Sequence, residues 1–131
     1  MNNGSKGEIQ YLKGEDWKPF GNYLVSNYGR VYSLFSNRML TPTLSKSHYK
    51  YYYTVSLSDE GKRTTYRLHR LVAQLFIPNP SEKAEVHHID CDTLNNRADN
   101  LLWVTPEEHQ QIHKELRKKG SEHGDEYKGI A

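Results

Sequence analysis

Four of the chain's seven histidines form a pattern that restricts how the polypeptide between them can fold. His87 and His88 are adjacent, and His109 and His113 stand four residues apart. A spacing of four puts two side chains on one face of a helix, so the rings of His109 and His113 can converge on one ion. The segment carrying them opens Thr105-Pro106-Glu107-Glu108. Thr105 stands where a helix cap belongs, proline takes the first helical position, and Glu108 completes a capping box. The pattern predicts a helix from there to about Lys119, stopped by Gly120. Ile112 and Leu116 flank the histidine stripe and turn that face inward. Two histidines at this spacing are by themselves most simply a solvated helix face; the adjacent pair upstream changes that balance.

Glu85 to Ile89 reads as a short strand, Asp90 to Asn100 (DCDTLNNRADN) as a polar loop, and Leu101 to Val104 as a second strand. Neighbours on a regular strand point to opposite faces, so His87 and His88 cannot both enter one site from an ideal strand. The turn-like Asp90-Cys91-Asp92 predicts that the strand ends or kinks there. One histidine of the pair then joins His109 and His113, giving three nitrogen ligands and open positions, as in a catalytic rather than a closed structural metal site. The other stays unligated, and a neutral imidazole with pKa near ~6.5 is suited to take a proton from water.

A metal also answers a deficit in composition. The chain has 131 residues, of which 35% are hydrophobic and 26% charged, enough for one domain or two small modules sharing a limited core. The only cysteine, Cys91, cannot close an intramolecular disulfide, so an ion is the available staple and a reducing compartment is expected. No apolar run approaches the ~18 residues of a membrane span, and Met1 to Gly7 lacks the apolar stretch of a signal peptide. The expectation is a cytoplasmic protein with no membrane partner. Net charge is only +2, but residues 28–70 hold eight cations (Arg30, Arg38, Lys46, Lys50, Lys62, Arg63, Arg67, Arg70) against Asp59 and Glu60. This local excess is either a solvated face or a surface for phosphates.

That basic stretch reads as β-structure. Tyr23 to Leu34 gives two β-prone runs divided by Ser26-Asn27-Tyr28-Gly29, a hairpin signal. Residues 48–57 alternate, with Tyr49, Tyr51, Tyr53, Val55 and Leu57 on one face, and the tyrosines are assigned to core rather than to base stacking. A turn at Asp59 to Lys62 leads to a return strand that presents Arg63 and Arg67 together. His69 to Phe76 has helical spacing and ends before Pro78-Asn79-Pro80. His69 is expected to cap that helix rather than to touch a ligand. The division is a disordered lead over 1–14, with Trp17 as the first core anchor, a β-rich DNA-binding module over 15–66, a metal-binding domain over 67–120, and a mobile tail over 121–131. The fold class is α+β, a small antiparallel sheet module followed by a strand-strand-helix unit.

Val86-His87-His88-Ile89-Asp90, Asn95-Asn96-Arg97, Asn100-Leu101, Trp103-Val104-Thr105 and His109 together resemble the HNH nuclease motif of phage and intron homing endonucleases. The likeness covers about residues 67–113, including the HRLVA helix and Pro-Asn-Pro. Glu15 to Lys18, Tyr23, Val25-Ser26-Asn27 and Gly29-Arg30-Val31 resemble the modular segment often found upstream of such nucleases. The resemblance implies a ββα-metal fold and a phage-encoded endonuclease acting on double-stranded DNA in the host cell, as a monomer or weak dimer, by nicking or by cutting both strands. It implies His88 as general base, His87 and His109 as ligands, Asn100 as brace of the loop and orienter of the base, and 5′-phosphate and 3′-hydroxyl ends. Arg97 either opposes charge on the scissile phosphate or is a solvated loop charge. Binding is expected from Lys50, Arg63, Arg67 and Arg70, with Arg30 contributing. Histidine at 87 and 109 departs from the aspartate and asparagine of many homing members, and with His113 the chain is closer to the bacteriocin DNases of the same superfamily. It also shifts the expected divalent ion: magnesium or manganese suits the activity, whereas imidazoles favour zinc or nickel. The rival is a non-catalytic DNA-binding protein with a structural zinc closed by Cys91, whose place beside His88 disfavours it.

Overall fold

A computed structural model describes residues 9–123. Three antiparallel sheets and two α-helices make up these residues; the expected hairpins, strands and helices appear in order, with strands at Trp17–Phe20, Arg38–Met39 and Thr43–Ser47 in addition to those expected. Trp17–Phe20 (β1), Tyr23–Ser26 (β2), Val31–Ser33 (β3) and Arg38–Met39 (β4) form the first sheet in sequential order. Thr43–Ser47 (β5), Lys50–Asp59 (β6) and Lys62–Arg67 (β7) form the second. Leu68–Phe76 (α1) leads to Glu85–His88 (β8), which pairs with Leu101–Val104 (β9), and Pro106–His123 (α2) closes the chain. No helix among the described residues is long and apolar enough to cross a membrane.

The turn between β6 and β7 uses Glu60 and Gly61, both with positive φ (49° and 79°), the twist a two-residue hairpin needs. The β5–β6 turn does the same with His48 and Tyr49 (51° and 69°), costlier residues for that conformation. This hairpin tip overhangs the core, which corrects the expectation for the tyrosines: Tyr49 and Tyr51 are exposed, Tyr53 is half-buried, and only Val55 and Leu57 of that face are buried. Trp17 is likewise only half-buried. The deeper anchor of that end is Glu15, whose carboxylate is bonded by the Arg30 guanidinium and the Leu12 amide.

The two modules share one core. Val25 and Val31 from the first sheet, Val55 and Leu57 from the second, Leu68, Leu71, Val72 and Ala73 from α1, and Val86 and Leu101 from the last form one buried cluster. Tyr23 hydroxyl accepts from the Ser58 amide (2.9 Å) and Lys18 Nζ donates to Leu75 O (2.8 Å), tying the first sheet to the second and to α1. The lead expected over 1–14 lies outside the described residues as far as residue 8; beyond it, Gln10 O and Lys13 O accept from Arg30 and from the Tyr28 hydroxyl. The capping box forms as expected, Thr105 N to Glu108 Oε1 (2.8 Å) and Glu108 N to Thr105 Oγ1 (3.0 Å). Gly120 does not end α2, which continues to His123; an interior glycine weakens a helix by ~1 kcal/mol without breaking it. The tail expected over 121–131 lies outside the described residues from 124 on.

Candidate functional site

β8 carries the adjacent histidines in regular register, His87 opposite Leu102 and His88 opposite Leu101, and Ile89 N continues the pairing to Asn100 O. The strand ends at the pair, as expected: β8 stops at His88, and Ile89-Asp90 form a turn that Cys91 N closes onto His88 O (2.9 Å), while the two rings still diverge as strand neighbours do. His87 lies 5.4 Å from His109 and 5.9 Å from His113 by ring centroid, and the helical pair are 4.4 Å apart. One ligand nitrogen from each of the three falls within 4.8 Å of the others.

These nitrogens have no protein partner. Nδ1 of His87 and Nε2 of His109 and of His113 are buried without a hydrogen bond among the described residues, a costly state for polar atoms. Three such atoms facing one point fit a divalent cation. Glu85 Oε1 lies 2.9 Å from His109 Nδ1. A carboxylate only accepts, so Nδ1 holds the proton and Nε2 presents its lone pair inward. Burial, then neighbouring His109 and Lys50, pushes the pKa of His113 down to about 4. Burial, then His109, also lowers that of His87. Both rings are therefore neutral near pH 7, the form that binds metal. Cys91 is not in the cluster, and burial followed by Asp90 raises its thiol pKa away from the thiolate; among the described residues no cysteine closes the site.

His88 is fully buried. Its Nε2 stands 3.0 Å from Asn96 Oδ1, and an amide oxygen only accepts, so the proton is on Nε2 and the lone pair on Nδ1, which has no partner. Burial lowers its pKa below 6.5 against the opposing pull of Asn96 and of Asp90, so the ring is neutral at pH 7 with more margin than an exposed histidine. Asn100 does not reach it. Its Oδ1 accepts from Asp90 N (3.0 Å) and its Nδ2 donates to Asp90 Oδ1 and Asn95 O (each 2.9 Å). Asn100 thus braces the loop, whereas the side-chain contact to His88 expected of it is made by Asn96.

His69 also departs from expectation. The N-terminus of α1 has no side-chain cap; the buried imidazole instead stacks on Tyr52 at 5.5 Å and lies 4.9 Å from His88. Burial, then the charges of His88 and Arg67, pushes its pKa to about 3. With Tyr52, Arg67, Arg70, Glu85 and His109 it lines a groove of about 420 Å³ beside the histidine cluster.

The six expected DNA-contacting cations divide. Arg67 (4.7 Å over the Tyr52 ring) and Arg70 (donating to Ala84 O at 2.9 Å) border the groove. Lys50 is half-buried, with its pKa lowered by burial, and close enough to depress His113. Arg63 is exposed on β7, bonded to Ser58 Oγ at 2.8 Å. Arg97 lies 3.8 Å over the Tyr28 ring, with Asp99 at 3.5 Å. Arg30 is different: its guanidinium is bonded to Glu15 and Gln10 O and lies over Trp17, which neutralises it within the first sheet and removes the reason to assign it to phosphate. Two positions that contact these histidines, Asn96 and Glu85, escaped sequence reasoning, and the placing of His69 did too. Asn96 and His69 carried no distinguishing signal, whereas Glu85 did: it is two residues before His87 on a strand, hence on the same face.

The sequence profile of the HNH endonuclease family matches residues 66–111, a span that stops short of His113. The chain is 38% identical over 104 residues to "H-N-H endonuclease F-TflII" of Escherichia phage T5, covering 76% of this chain and 52% of that one. It is 38% identical over 94 residues to "DNA endonuclease I-HmuI" of Bacillus phage SP01 (69% and 52% covered) and 40% identical over 91 residues to "Uncharacterized HNH endonuclease L245" of Acanthamoeba polyphaga mimivirus (67% and 26%). The solved structure "DNA binding and cleavage by the HNH homing endonuclease I-HmuI" superposes with a TM-score of 0.67 at 35% identity, over 81% of this chain and 59% of that one. The chain thus spans about half, or less, of the length of these curated relatives.

Proposed function

The chain belongs, through residues 66–111, to the HNH endonuclease family, and from that premise we propose that it hydrolyses phosphodiester bonds in double-stranded DNA with the help of one divalent ion. The observation that carries this reading is the pairing of three buried, unpartnered imidazole nitrogens with a separate imidazole, His88, whose one nitrogen is tied and whose other is free. His87, His109 and His113 would hold the ion, which would supply Lewis-acid polarisation of a phosphate oxygen and charge for the departing 3′ oxygen. His88 Nδ1 takes the proton of the attacking water, and its neutral form at pH 7 keeps it available. Glu85 orients His109, Asn100 and Asp90 hold the loop, and Asn96 holds His88.

The three-imidazole set favours zinc or nickel over the harder magnesium, with manganese and magnesium as the other ions to be tried. The exposed face of β7, with Arg67 and Arg70 bordering the groove and Lys50 close to His113, is the surface assigned to the duplex, and Arg97, within the loop between β8 and β9, is assigned to oppose charge on the phosphate. A monomer with one site attacks one strand, so nicking is the expected outcome. Incubating supercoiled plasmid with the protein and zinc, nickel, manganese or magnesium is expected to yield relaxed circles, and EDTA to abolish them. Intact plasmid under every ion, with zinc bound, would overturn the nuclease reading in favour of a structural metal.

A further inference from the structure

The turn between β2 and β3 meets the loop that carries Asn96 along three consecutive residues. Asn27 O accepts from Ala98 N at 2.7 Å, the Tyr28 ring receives the Arg97 guanidinium at 3.8 Å, and Gly29 faces Asn96 itself. A Cβ on Gly29 would stand 3.2 Å from Asn96 O and 3.3 Å from Asn96 Cβ, and the residue has φ +85°, so both space and backbone demand glycine there. The turn is fixed from behind as well. Asn27 Oδ1 accepts from Asp16 N (2.8 Å) and its Nδ2 donates to Gly14 O (3.3 Å), while the Tyr28 hydroxyl donates to Lys13 O. On its other side Asn96 is buried and accepts from His88 Nε2.

We infer that this turn of the upstream module is a positioning element of the nuclease site: by clamping residues 96–98 it sets Asn96, and through Asn96 the ring orientation and tautomer of His88. The inference rests on the reading of His88 as the general base. It gives the upstream module a role inside the chemistry besides any contact with DNA. Free to shift, Asn96 no longer discriminates between the two neutral tautomers of His88, and the Nδ1–H form presents no lone pair where the water's proton must go. Gly29 and Tyr28 are positioning residues on this account, since neither touches His88.

Long-range proton–nitrogen spectra of the zinc-loaded, histidine-labelled protein read the tautomer directly. The wild type is expected to show His88 as a single Nε2–H form. Gly29→Ala is expected to mix the tautomers and slow single-turnover cleavage by about ten- to a hundredfold, the cost of small misplacement at a reacting centre, while zinc affinity and duplex affinity stay as in the wild type. Tyr28→Ala, which leaves the backbone of residue 29 unstrained, serves if Gly29→Ala does not fold, and its effect is expected in the same direction and smaller. A wild-type tautomer in the folded variants overturns the inference. Mixed tautomers with undiminished cleavage uphold the clamp and overturn instead the assignment of His88 as base.

Discussion

Glu85 Oε1 holds the Nδ1 proton of His109 at 2.9 Å, which makes a residue that is not one of the motif's quoted letters the determinant of which nitrogen that histidine leaves unpartnered. Partners of this kind typically contribute 10–100-fold in metal affinity. Glu85→Ala is expected to weaken zinc by about that factor in a chelator competition. Glu85→Gln, whose oxygen can still accept, should lose less. Equal affinity in wild type and Glu85→Ala would show that His109 is oriented by something else.

The adjacent histidines should separate cleanly. His88→Ala is expected to keep zinc and duplex binding while single-turnover cleavage falls by roughly 10²–10⁴-fold, the range of general base catalysis. His87→Ala is expected to lose metal affinity first, with cleavage following occupancy. An inactive His87→Ala that binds zinc normally, beside a fully active His88→Ala, would exchange the two roles.

Replacing Arg63 and Arg67 together tests the duplex surface. Both are exposed on β7, so their loss should weaken all duplexes similarly and reduce the salt dependence of binding by roughly one to two phosphate contacts. An unchanged slope of log affinity against log salt would place the DNA elsewhere. Arg30→Gln is expected to leave that slope alone and to lower thermal stability, because its guanidinium serves Glu15.

The buried imidazole of His69 predicts a pH dependence of folding. Its pKa in the folded chain is about 3, depressed first by burial, whereas the unfolded chain titrates near ~6.5. Below ~6.5 the unfolded state therefore takes up a proton that the folded state refuses, so this contribution to stability is complete above that pH and declines as pH falls toward 3. Substituting His69→Phe should make urea-measured stability less steep between pH 6.5 and 4.5 by about one proton, or ~1.4 kcal/mol per pH unit. Parallel curves would mean that His69 is protonated in the fold.

Most of the architecture was legible because its signals are local. Thr105 and Glu108 announce the start of α2, Glu60-Gly61 the hairpin, and the four-residue spacing the convergence of His109 and His113. What escaped depends on contacts distant in sequence. Nothing local to Asn96 or Asn100 says which of two asparagines faces His88, since that follows from the path of the loop between β8 and β9. Arg30 looked like one cation among eight until its approach to Glu15, fifteen residues away, removed it from the set. Tyr49 and Tyr51 alternate in phase with Val55 and Leu57, but alternation reports a face, not where along the strand the covering layer ends.

The single buried cluster running from Val25 and Val31 through Leu71 and Val72 to Val86 and Leu101 limits how such chains can be reassembled. Modules on separate cores can be shuffled at any exposed linker, but here a cut between residues 66 and 67 divides a joint interior. A foreign upstream segment joined there inherits the cavities and collisions of a mismatched half-core. Recombinants that keep residues 15–113 as one cassette are the ones expected to survive, and inheritance of the two parts together is imposed by packing before any selection on sequence recognition acts.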